Sequence, residues 1–177
     1  MDKTQMRSDT GGYEQEWRDF FKVNGSALFQ IALLLTADAV TAEVALTKSI
    51  EEVDMTQSPG QTSLASWKEA VVIRSIETIQ VSASPPDPIT RLMLQPGVRP
   101  VIEIERYPRI CFVLRLLLGY TTAFCAQMLG MKESDVRTLF QMAVIQLQEK
   151  SSRTELSLEE ECGASLKNEE ANASMSK

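Results

Sequence analysis

The sequence predicts an all-α protein: two small helical domains joined by a proline-rich linker, the second domain a helix-turn-helix. Three observations carry that prediction. Apolar residues make up 44% of the 177-residue chain and aromatic residues only 6%. Leu, Ile, Val, Ala and Met therefore do the packing, which favours helices over a β-sandwich. Apolar residues recur at helical spacing through most segments. Five of the seven prolines fall between residues 85 and 100, a stretch that on this ground cannot run as a helix and reads as an interdomain linker.

Residues 1–12 ("MDKTQMRSDTGG") are polar, end in Gly-Gly and read as a flexible arm. An amphipathic helix follows from Tyr13 to about Val23, with Trp17, Phe20 and Phe21 on one side. Ser26 is a suitable cap for a second helix, in which Leu28, Ile31, Ala32 and Leu35 fall at i, i+3, i+4 and i+7. The chain breaks near Thr36 and restarts at Asp38, with Val40, Val44, Ile50 and Val53 as expected buried positions. "TQSPGQTS" reads as a loop. "SLASWKEAVVIRSIETIQ" reads as a fourth helix, with Trp67, Val71 and Arg74/Ser75 at its spacing. This first domain spans 13–81, and residues 82–102 form the linker.

The second domain spans 103–150. "PRICFVLRLLLG" predicts a helix from Pro108 to Gly119. Thr121 or Thr122 caps a short helix through Leu129, Gly130 supplies a left-handed turn, and the last helix runs from about Glu133 to Glu149. Val136, Phe140, Ala143 and Leu147 mark its buried stripe. The acidic tail, 151–177, has too few apolar residues to pack and is expected to be disordered.

The net charge is −6, and all of the excess acid lies outside the second domain: residues 101–150 hold 6 basic and 5 acidic side chains. Without histidine, neither a Ser-His-Asp triad nor a Cys-His couple can form, and no phosphate loop occurs. Cys111, Cys125 and Cys162 lack CxxC spacing, so no metal site or cofactor is expected. Nothing points to an enzyme. The apolar runs are too short to span a bilayer, and the odd cysteine count suits a reducing cytoplasm.

"YPRICFVLRLLLGYTTAFCAQMLGMKESDVRTLFQMAVIQLQ" resembles the promoter-reading C-terminal domain of bacterial sigma-70 family sigma factors of the extracytoplasmic-function type. The matching positions are Pro108, Gly119, Tyr120, Thr121, Ala126, Leu129, Gly130, Val136, Arg137, Ala143 and Leu147. "SALFQIALLLTADAVTAEVALTKSI" is similar to the polymerase-binding domain of that family through Leu28, Ala32, Leu35, Thr36, Asp38, Ala42 and Glu43, with Trp67 at the family's Trp position. The resemblance covers residues 13–150. It implies a winged-helix-like region 4 at the C-terminus, core RNA polymerase and promoter DNA as partners, and regulation by an anti-sigma protein.

Carried onto this chain, the resemblance makes Lys132, Ser134, Arg137, Thr138 and Gln141 the DNA-facing residues. It makes Glu43, Thr47, Lys48 and Glu51 the polymerase-facing ones. The chain departs from the family by placing Leu139, Met142 and Val144 where Arg is common, and Lys132 where a capping residue usually stands. DNA affinity comes largely from cations releasing counterions, so unaided binding should be weak. A second expectation therefore stands beside transcription initiation: a diverged sigma-like interaction module that meets a protein through Leu139, Met142, Val144 and Ile145.

Overall fold

A single stripe of large side chains sets the architecture. The structure, a computed structural model, describes residues 10–52, 58–61, 63–81 and 88–150. Helix α1 spans Thr10–Thr36, and Trp17, Leu28, Ala32 and Leu35 are buried along it. The expected break between Val23 and Ser26 is corrected: the helix runs on through Gly25. Burial of one continuous stripe outweighs the roughly 1 kcal/mol that a helical glycine costs. Asn24 Nδ2 also folds back onto the Phe20 carbonyl at 3.0 Å rather than opening the helix.

The helix stops where the sequence predicts. Ala37 takes a left-handed conformation (φ 56°), and Asp38 caps α2 (Ala39–Glu51) by accepting the Thr41 N–H at 2.7 Å. The buried face of α2 differs from the expected one. Ala42, Ala45 and Ser49 are buried, whereas Val40 is 69% exposed and Val44 39%. Small side chains let α2 lie close against α1 and α3 (Leu64–Val81), so the valines turn outward. Val53 lies outside the described residues.

On α3, Trp67, Val71 and Ser75 are buried as their spacing predicts. Trp67 closes a cluster with Trp17, Phe20 and Phe21 in which ring centroids lie 5.4 to 5.9 Å apart.

The described part of the predicted linker is folded, which corrects the expectation of a non-helical tether. It forms α4 (Pro88–Met93), a 3-10 turn (Pro96–Val98) and α5 (Arg99–Ile102). Each proline stands within the first two positions of its element, where a missing N–H costs nothing. Leu94, Val101 and Ile102 are buried, and Thr90 Oγ1 accepts the Ala39 N–H at 3.0 Å, tying α4 to the start of α2.

Helix α6 (Arg106–Phe112) starts two residues before Pro108 and passes into a π turn (Val113–Leu117), after which Gly119 takes a left-handed conformation, φ 73°. Helix α7 (Thr122–Leu129) and α8 (133–150) complete the chain, and no strand occurs among the described residues. Buried side chains form one cluster that reaches from Trp17 in α1 to Ala143 in α8. None of the described helices is long and apolar enough to cross a membrane. Residues 1–9 of the expected arm, residues 82–87, Cys162 and the tail 151–177 lie outside the described residues.

Candidate nucleic-acid interface

Local chemistry fixes the joint between α7 and α8. Thr121 caps α7, its hydroxyl accepting the Phe124 N–H at 3.2 Å. Gly130 is left-handed, φ 64°, and the Met131 N–H returns to the Ala126 carbonyl at 2.9 Å, closing α7 with a glycine C-cap. The Lys132 carbonyl accepts from Asp135 N–H (3.0 Å) and Val136 N–H (3.2 Å), so Lys132 opens α8 with its backbone. Its ammonium has no acceptor to offer those N–H groups.

The inner side of α8 is anchored. Val136 and Ala143 are fully buried, Phe140 and Leu147 pack on the core, and Phe140 stacks on Phe112 at 6.1 Å between centroids. The Arg115 guanidinium lies 5.8 Å from the Phe140 ring centroid, and its side chain also bonds the Thr122 hydroxyl.

The opposite side of α8 carries the expected DNA-facing residues. Lys132, Ser134, Arg137, Thr138 and Gln141 are all exposed, the last four at i, i+3, i+4 and i+7 along one edge. Acids share this edge. Arg137 Nη2 donates to Glu133 Oε2 at 2.9 Å, and Ser134 Oγ donates to Asp135 Oδ1 at 3.1 Å.

The apolar residues beside that edge divide. Leu139 and Val144 are partly buried against the core, whereas Met142 (39%) and Ile145 (54%) remain exposed. On α2, Glu43, Thr47, Lys48 and Glu51 share an exposed face with Val40 and Val44.

No family model, curated protein or solved structure matches this chain.

Arg109 has a role that sequence reasoning missed. It is 5% exposed, and its guanidinium donates to the carbonyls of Leu35, Thr36, Ile102 and Ile104 at 2.9 to 3.5 Å. Two of those carbonyls end α1, where the helix dipole is negative. Burial, and then the nearby charge of Arg106, lower its pKa to about 10, so it remains protonated at neutral pH. The one available signal was its position inside the apolar run "PRICFVL".

A cavity of about 250 Å³ beside Arg109 is lined by Asp38, Glu103, Glu105 and Arg106 among others. Glu103 also bridges Arg91 of α4 (3.0 Å) and Lys150 of α8 (3.3 Å). Arg74 is held by Glu52 and by Glu77 (2.5 Å), which raises its pKa, first through the Glu52 bond. Its charge is thus already engaged. Burial, followed by the neighbouring Cys125, pushes the Cys111 thiol up to about 11. Burial also raises Cys125, so both behave as small core residues.

Proposed function

We propose that the chain is a sigma-factor-like transcription initiation protein of the cytoplasm. In this reading α7, the Gly130 turn and α8 act as a helix-turn-helix that offers α8 to the major groove, and the outer face of α2 meets core RNA polymerase. One observation carries the proposal: α8 is anchored by Val136, Phe140 and Ala143 while Lys132, Ser134, Arg137, Thr138 and Gln141 all face solvent. Gln141, Ser134 and Thr138 suit hydrogen bonding to base edges, and Lys132 and Arg137 suit phosphates.

The test is promoter-dependent transcription with core polymerase and the full chain. Activity that falls when Arg137 and Gln141 are replaced by Ala supports the proposal. Absence of core binding at micromolar protein overturns it.

A second reading is favoured by Met142 and Ile145, two exposed apolar side chains close to the polar edge. Such residues suit contact with a protein, in a diverged regulatory module with little or no DNA binding. Self-association or partner binding that salt does not weaken, without retention on DNA, selects this alternative.

A further inference from the structure

Arg137 is one of two cations on the exposed edge of α8, and its guanidinium is already occupied. Glu133 takes it from one turn earlier, at 2.9 Å, with the two side chains 65% and 49% exposed for Arg137 and Glu133 respectively. Glu133 stands at the first position of α8, where unpaired backbone N–H groups and the positive end of the helix dipole favour a carboxylate. The acid therefore belongs at that place whether or not Arg137 is near. Asp135, on the same turn, is engaged differently: it accepts from Ser134 and makes no ion pair with Arg137.

We propose that Glu133 sets the DNA affinity of the edge by holding Arg137 along the helix. A phosphate reaches the guanidinium only by displacing a carboxylate. This inference rests on the DNA-reading proposal above and adds how that site is regulated. An exposed i, i+4 pair changes an equilibrium by only about twofold, so the hold is exchangeable. The carboxylate also repels an approaching phosphate, which adds to the effect. Glu133 is thus a positioning residue that lowers intrinsic affinity.

The test uses the full chain and a labelled mixed-sequence DNA duplex, with binding followed by fluorescence anisotropy between about 50 and about 200 mM salt. Glu133→Gln is expected to tighten binding about fivefold at the lower salt and to steepen the salt dependence by about one counterion. In the Arg137→Ala background the same substitution should give a gain about twofold smaller, because relief of the carboxylate's repulsion remains while the pair no longer exists, and the added counterion should be lost. Asp135→Asn should give a smaller gain and leave the salt slope unchanged.

An equal gain from Glu133→Gln with and without Arg137 reduces the effect to simple charge removal and overturns the inference while leaving DNA reading intact. No gain at all overturns it as well. Absence of salt-sensitive DNA binding in both the natural chain and Glu133→Gln overturns the DNA-reading proposal, and this inference with it.

Discussion

The Arg109 guanidinium donates to the Leu35 carbonyl at 3.3 Å, across 74 residues of chain. A cation from α6 thereby satisfies the orphan carbonyls at the end of α1. Replacing Arg109 with Met leaves the carbonyls of Leu35, Thr36, Ile102 and Ile104 buried with fewer donors. Each unsatisfied group costs about 1–3 kcal/mol, so a total loss of about 3 kcal/mol or more is expected from urea denaturation. An unchanged midpoint would show that water or backbone movement replaces the guanidinium.

The core cluster is continuous from Trp17 to Ala143. Unfolding should therefore be a single cooperative event. Trp17 and Trp67 report on the first three helices, and far-ultraviolet circular dichroism reports on all of them. The two urea curves should coincide. Separate transitions would mean that the halves unfold independently.

Gly130 has open space where a Cβ would stand, so Gly130→Ala tests backbone conformation alone. At φ 64° an L side chain costs about 1 kcal/mol, and thermal or urea unfolding should show a loss of that size. A neutral result would mean that the α7–α8 joint relaxes into another turn.

Cys111 gives the fold a pH dependence. Its pKa rises from the ordinary 9.0 to about 11 in the native state, chiefly through burial. Between those values the unfolded chain has lost the thiol proton and the folded chain retains it. Stability is therefore fully present below pH 9 and falls as pH rises toward 11, by about 2 kcal/mol from this group. Cys111→Ala should flatten the decline in urea midpoints over that window. A slope equal to that of the natural chain would remove Cys111 as its source.

Met142 and Leu139 should respond differently to a new charge. Met142 is 39% exposed, whereas Leu139 packs against the core. Met142→Arg should leave stability within about 0.5 kcal/mol and strengthen DNA retention. Leu139→Arg should cost more stability, because part of the cation must leave water. If Met142→Arg abolishes a salt-insensitive self-association instead, the surface is a protein contact.

The elements written in local chemistry were legible from the sequence. The Asp38 and Thr121 caps, the Gly130 turn and the stripe Val136, Phe140, Ala143, Leu147 depend on neighbours within a turn or two. What depended on distant partners was not. Gly25 and Ser26 look like a helix boundary until one sees that the stripes on either side pack into one core. Val40 and Val44 look buried until α2 is known to press so closely that only Ala42, Ala45 and Ser49 fit beneath it. Proline spacing alone did not reveal that Thr90 would bond the start of α2.

The polar edge of α8 was legible as a set of residue types at helical spacing. The pairing of Glu133 with Arg137 needed only their i, i+4 separation. Arg109 was the hardest to foresee, because arginine is almost never fully buried without a partner, and its acceptors are carbonyls far away in the chain.

An unbroken α1 has a mechanical consequence. From Tyr13 to Thr36 it is a rod of about 35 Å, with no flexible joint to absorb a push. Its far end, the Leu35 and Thr36 carbonyls, is the seat on which the guanidinium of α6 rests, so one rigid element joins the aromatic cluster around Trp17 to that buried cation.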